Sequence, residues 1–243
     1  MSETDADQQM KKMSRRSFLW GAGALTGAYF GWQWLIGQKP KDGFNTVLKQ
    51  SLDFNDGVGR KIFSDSRLAP TFPANRTQPI RTNGSDGLSS EIDLNQYEIT
   101  LNTPNGTKSI SLAEVMKLPR HEMTVEFKCV EGWSRIVSFS GVLFSEFLET
   151  FAPGIATEYV SLETPDSKYY VGLDIESVLH PQTLLADQMN GKPLKLENGA
   201  PLRLAMPVKY GYKQLKRVGK IELTNTKPKD FWAEEGYDWY GGH

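Results

Sequence analysis

The stretch Glu126–Gly141, EFKCVEGWSRIVSFSG, holds the only cysteine of the chain, Cys129. Just before it, EMTVEFK sets Met123, Val125 and Phe127 on alternate positions, the period of a half-buried strand. That strand runs directly into Cys129, and Glu131, Gly132 and Trp133 follow within four residues. A free cysteine is commonly a small buried hydrophobe. A thiol at a strand end, beside a carboxylate and a glycine, is also placed to act as a ligand or nucleophile. The rest of the chain decides between the two.

Outward from this stretch, short strands and short helices intermingle. DLNQYEITLN reads as a strand, and TPNG turns it into a second one. SISLAEVMKLP reads as a short helix, with Ser111 as N-cap, Glu114 completing a capping box and Pro119 ending it. SGVLFSEFLETF carries a helical apolar stripe through Val142, Leu143, Phe144, Phe147, Leu148 and Phe151. EYVSLE and KYYVGLD are strands joined by TPDS, and DIESVLHP is a short helix. Residues 184–207 contain two Asn-Gly turns and a strand ending at Pro207, and LKRVGKIELT is a closing strand. This mixture predicts an α+β domain over residues 83–243. Residues 39–82 read as a loop-rich lead-in broken by Pro40, Pro70, Pro73 and Pro79, with a short helix near Asn45–Leu52.

Composition removes several classes of function. The 243 residues are 39% hydrophobic and 23% charged, with a formal net charge of -1, which is ordinary globular usage and not that of a nucleic-acid-binding domain. One cysteine excludes an intrachain disulfide, a zinc finger and a CxxCH haem site. There is no G-x-G-x-x-G and no Walker loop for a nucleotide cofactor, and no G-x-S-x-G elbow for a hydrolase. His121, His180 and His243 form no metal-ligand spacing.

The N-terminus carries an address. Arg15 and Arg16 precede a run without charge from Ser17 to Gln38 that is rich in Gly and Ala and closes on Tyr29, Phe30, Trp32 and Trp34. A basic pair before such a segment is the pattern of a twin-arginine export signal. Residues 1–38 are therefore expected to send the chain to the periplasm, and both a cleaved signal and a retained membrane anchor stay open.

Two further clusters bear on chemistry. Arg203, Lys209, Lys213, Lys216, Arg217 and Lys220 crowd a Gly-containing stretch near Gly211. Such a run is either a solvated basic face or a phosphate site, where an arginine supplies bidentate donors. The aromatic tail, KPKDFWAEEGYDWYGGH, either packs on the domain or lends Tyr237 or Trp239 to a pocket.

Taken together, FKCVEGWS and the long segment LLADQMNGKPLKLENGAPLRLAMPVKYGYKQLKRVGKIEL resemble the sulfite-oxidase family of molybdopterin enzymes, in its methionine-sulfoxide-reductase-like branch. The likeness runs from about Arg81 to Tyr237. It implies a sulfite-oxidase-like fold and a molybdenum-molybdopterin cofactor. Cys129 would be the metal's thiolate ligand, a soft donor suited to a metal already held by dithiolene sulfurs. Asn83, Thr164, Asn198, Arg203, Lys213, Gln214 and Lys216 would hold the pterin and its phosphate, and Tyr237, with Trp232 before it, would face the reaction, as would Glu131.

The chain departs from the sulfite-oxidising pattern. There a glycine, an asparagine and an arginine pair follow the cysteine; here Val130, Glu131, Gly132 and Trp133 follow. A carboxylate near the metal suits sulfite poorly. The resemblance includes no immunoglobulin-like dimerisation domain and no haem domain, so electrons are expected from a separate protein, a membrane haem subunit among the candidates. The expected activity is oxygen-atom transfer that reduces small S- or N-oxides. Sulfite dehydrogenation, or a catalytically silent binding module of the same fold, are the alternatives, and nucleic acid is not an expected partner.

Overall fold

A computed structural model of the chain describes residues 3–37, 46–81, 84–89, 92–94 and 96–243. Asn83 lies outside the described residues. The chain divides into two units, Met1–Ser51 and Leu52–His243.

In the first unit, helix α1 (Glu3–Ile36) contains Arg15 and Arg16. Phe18, Leu19, Trp20, Leu25, Tyr29, Phe30, Trp32 and Trp34 are exposed along it. No helix among the described residues is long and apolar enough to cross a membrane.

Helix α2 (Thr46–Ile62) is longer than the short helix expected near Asn45–Leu52. Its last part belongs to the second unit, where burial extends it: Asp56 is buried and pairs with Lys227, and Gly59 lies under the Tyr240 ring. Among the described residues between it and the first strand, the one helical element is a 3-10 turn, Ala74–Arg76.

The second unit contains two five-stranded sheets. The first has the order β2-β1-β10-β5-β6, built from β1 (Glu98–Thr103), β2 (Gly106–Ser111), β5 (Tyr159–Glu163), β6 (Tyr170–Asp174) and β10 (Lys220–Thr224). Although β10 comes last in sequence, it sits in the middle of the sheet and is parallel to β1, with Leu101 opposite Ile221. Ile99, Leu101, Val160, Leu162, Val171, Leu173 and Ile221 from these strands are buried in the main core. Helix α3 (Leu112–Val115) starts on the expected capping box: Ser111 accepts from the Glu114 backbone, and the Glu114 carboxylate accepts from the Ser111 backbone.

The second sheet has the order β3-β4-β7-β8, with β9 on β7. Its strands are β3 (His121–Lys128), β4 (Ser134–Leu143), β7 (Leu184–Met189), β8 (Lys192–Pro193) and β9 (Arg203–Ala205). Here the structure corrects the sequence reading. The helix expected over residues 140–151 begins only at Phe144 (α4, Phe144–Phe151), and Ser140–Leu143 belong to the long strand β4. The pairing of β4 with β7 shifts register between Ser140 and Gly141, which breaks the simple alternation that reveals a strand. A Cβ on Gly141 would lie 2.1 Å from the Leu185 carbonyl oxygen, so the bulge requires glycine. The small helices α5 (Ile175–Leu179) and α6 (Phe231–Glu234) complete the unit.

Candidate functional site

The hairpin joining β3 to β4 fixes Cys129. The Cys129 backbone N–H donates to the Trp133 carbonyl at 2.9 Å, and the Gly132 N–H donates back to the Cys129 carbonyl at 3.1 Å. Three residues are thus left in the loop. Gly132 has φ +86°, the left-handed conformation that such a hairpin loop assigns to glycine. Cys129 is half-buried at the root of this loop and lines an open cavity of about 240 Å³.

The cavity gathers side chains that are far apart in sequence. Cys129, Glu131, Asn198, Arg203, Gln214, Lys216 and Tyr237 all line it. So do Phe127, Trp133, Tyr169, Tyr212 and Trp232, and Arg81 and Asp86 from the preceding segment. One wall is a stacked column. Arg81 lies over the Trp133 ring at 5.8 Å, Trp133 stacks on Phe127 at 5.9 Å, and Arg203 lies over Phe127 at 6.0 Å. Gly211 makes room for that column, because a Cβ there would meet Phe127 Cζ at 2.4 Å.

Arg203 and Lys216 bring two cations to the cavity wall. Arg203 is 2% exposed and donates only to carbonyl groups, those of Asn198 at 3.1 Å and of Leu204 and Gln214 at 3.4 Å. No carboxylate pairs with it among the described residues. Burial pulls its guanidinium down to about 10, so it remains charged at neutral pH. A buried cation without a counter-ion is costly unless an anion completes the site. Lys216 adds a second cation: its ammonium donates to the Gly84 carbonyl at 3.1 Å. Burial, and then the neighbouring Arg203, bring it down to about 8.

Two residues named from the sequence stand elsewhere. Lys213 is fully buried and pairs with Asp230 at 2.5 Å, and it also donates to the Trp239 carbonyl at 2.6 Å. With those partners its ammonium does not reach the cavity. Thr164 is also buried and is absent from the cavity wall. Its hydroxyl donates to Asp166 at 2.6 Å and accepts the Tyr169 N–H at 3.2 Å, closing the TPDS turn. Gly87 packs against its methyl group, where a Cβ would come to 2.3 Å. The basic run is therefore not a solvated face. Lys209 and Lys213 are neutralised by Asp174 and Asp230 inside the fold, Arg217 is buried on backbone carbonyls, and only Arg203 and Lys216 reach the cavity. Trp239 packs in the interior, while Tyr237, 38% exposed, stands at the cavity rim against Trp232 and Tyr212.

Sequence reading passed over Phe127, Tyr169, Tyr212 and Asp86 as site residues. Phe127 carried a signal, as the last inward residue of the strand leading to Cys129. The others did not, because turn and segment geometry alone brings them in.

The donor set fits a molybdenum–pterin group. The same cavity is lined by Cys129, the soft donor such a metal takes, and by a buried guanidinium and a lysine, the partners of a phosphate. No cluster of His, Cys, Asp and Glu that would hold a metal by protein donors alone exists among the described residues.

Comparison with known proteins gives a consistent picture. Residues 87–232, more than half of the chain, match the oxidoreductase molybdopterin binding domain. YedZ1 of Azospira oryzae, named as a protein-methionine-sulfoxide reductase subunit, is 34% identical over 193 residues, covering 78% of this chain and 73% of that protein. The protein-methionine-sulfoxide reductase catalytic subunit MsrP of Xanthomonas campestris is 37% identical over 148 residues, and that of Campylobacter jejuni is 35% identical over 149. The chain spans about half the length of these two relatives, 46% and 50%. Among solved structures, the sulfane dehydrogenase SoxCD of Paracoccus pantotrophus shares the fold, with a TM-score of 0.52 at 19% identity over 57% of this chain and 41% of that one.

Proposed function

The chain belongs to the molybdopterin-binding oxidoreductase family, and from that premise we propose that it is an oxygen-atom-transfer reductase of S-oxides or N-oxides. Its cofactor is molybdenum-molybdopterin. The observation that carries the direction of the reaction is the position of Glu131. Glu131 lines the cavity two residues after the thiol that would ligate the metal, and its carboxylate accepts the indole N–H of Trp133, another lining residue, at 3.0 Å. An anionic substrate such as sulfite is repelled there, whereas a neutral sulfoxide or N-oxide is not. The names of the relatives, methionine-sulfoxide reductases, support the same substrate class.

When bound, the cofactor supplies an open metal position and a two-electron redox change. Cys129 would hold the metal, Arg203 and Lys216 the phosphate, and Asn198 and Gln214 would contact the pterin. Reducing an S-oxide consumes two electrons and two protons and releases water. Glu131, held by the Trp133 indole, would carry a proton to the departing oxygen, and the Tyr237 hydroxyl would donate a hydrogen bond to it. The electrons would come from a separate protein.

Arg81 supports a second reading. Its guanidinium also lines the cavity, beside Trp133, and a cation there would favour the sulfite oxyanion. A side-by-side assay on one cofactor-loaded preparation separates the two, with sulfoxide and N-oxide reduction by an artificial donor in one arm and sulfite oxidation in the other. Sulfite oxidation without detectable oxide reduction would reject the reductase reading.

We also take the twin arginines and the uncharged run after them as an export signal, which would place the enzyme in the periplasm.

A further inference from the structure

We propose that the buried pair Lys213–Asp230 is a positioning device that sets the aromatic rim of the cavity through Tyr237. This rests on the reading of Tyr237 as a substrate-facing residue.

Asp230 is 1% exposed, and its carboxylate is fully used. One oxygen caps helix α6 by accepting the Ala233 N–H at 3.0 Å. The other accepts the Gly172 N–H of β6 at 3.1 Å and the Lys213 ammonium. One side chain thereby joins three pieces of the fold: the edge strand β6, the 3-10 turn Gly211–Lys213, and α6. Two of those pieces carry the cavity rim. The turn contains Tyr212 and leads into Gln214. Helix α6 contains Trp232, and the Tyr237 N–H closes back on the Trp232 carbonyl at 2.9 Å.

The rings complete the link. Tyr237 contacts Trp232 at 5.1 Å and Tyr212 at 5.6 Å between centroids. Tyr237 is therefore held between two side chains whose segments the ion pair joins at its buried end, while the Tyr212 hydroxyl donates to the Asp238 carbonyl at 2.7 Å and the Tyr210 N–H to the Gly241 carbonyl at 2.9 Å further along the tail. Lys213 also grips the chain beyond Tyr237, by donating to the Trp239 carbonyl and lying 4.8 Å from the Trp239 ring. A lysine and a carboxylate with essentially no exposure are expensive to bury. Removing one partner leaves the other charge uncompensated, and the strain falls on the segment between Trp232 and Trp239.

The test is a double-mutant cycle of Lys213→Met and Tyr237→Phe, read together with cofactor content and hydrogen exchange. Lys213→Met should lower kcat/KM for the oxide substrate about tenfold in the wild-type background and less than twofold in the Tyr237→Phe background. Pterin and molybdenum content should stay at the wild-type level. Backbone exchange should rise in residues 231–241 and remain unchanged in residues 129–133. Equal losses in both backgrounds, or loss of the pterin from Lys213→Met, would overturn the proposal, the latter by making Lys213 a cofactor contact after all. If Lys213→Met does not fold, Asp230→Asn, which keeps an acceptor for the helix cap, replaces it with the same expectations. If no oxide is reduced by any variant, the reductase reading fails alone: the exchange pattern still decides whether the pair holds the rim.

Discussion

The indole N–H of Trp133 donates to the carboxylate of Glu131 across 3.0 Å. The bond turns the acidic side chain of the hairpin loop toward the ring that walls the cavity. It also ties the orientation of that ring to the residue whose charge distinguishes this hairpin from the sulfite-oxidising pattern.

Glu131→Gln separates charge from position. The amide oxygen can still accept the indole N–H, but the group no longer carries a proton. A lost general acid–base contribution is typically about 10²–10⁴-fold in rate. Oxide reduction should fall within that range while cofactor content is unchanged and any residual sulfite oxidation rises. Wild-type turnover in Glu131→Gln would remove the proton role.

Lys216 gives the anion site a pH dependence of defined sign. Its folded-state value is depressed, from 10.5 to about 8. Between those values the unfolded chain binds more protons than the folded one, so cofactor-free protein gains stability from this group as pH rises through that window. Anion binding runs the other way, because the ammonium that attracts the anion is lost above about 8. Sulfate has a constant charge across this range. Its affinity for cofactor-free protein, followed by calorimetry, should fall by about tenfold per unit once pH exceeds that value, and Lys216→Met should abolish the dependence.

Gly211→Ala tests the packing behind the column. The added Cβ would meet Phe127 Cζ at 2.4 Å, and Phe127 packs against both Trp133 and Arg203. Overpacking of this kind costs about 1–3 kcal/mol. Denaturant unfolding should show that loss together with a shift in tryptophan emission.

Much of this was legible in the sequence, for identifiable reasons. The alternation of Met123, Val125 and Phe127 gave β3, and the Ser111–Glu114 box gave α3, because both signals are local. Strand β4 was hidden by the bulge at Ser140–Gly141, which merged its end with the apolar stripe of α4. The central place of β10 was not readable, since its parallel partner β1 is over a hundred residues away. In the site, Cys129, Arg203 and Lys216 could be named from the pattern around them. Lys213, three residues from Lys216, could not be told apart from it, because the partner that draws it inward, Asp230, lies in a different element. Thr164 lies off the cavity wall for a similar reason: Asp166 and Tyr169 engage its hydroxyl.

Arg15 and Arg16 are expected to act as a pair in export. Changing both to lysine keeps the charge and should leave the protein in the cytoplasmic fraction, measured against a periplasmic marker. Unchanged export would show that the pair is not a transport signal.

Cys129 as the metal's protein ligand is the claim on which the site depends. The direct measurement is molybdenum X-ray absorption on purified, cofactor-loaded wild type and Cys129→Ser. The expected result is a folded variant that keeps pterin through Arg203 and Lys216, has lost one sulfur from the molybdenum shell, and has little or no turnover. An identical sulfur shell in the two proteins, or wild-type turnover in the serine variant, would contradict the assignment.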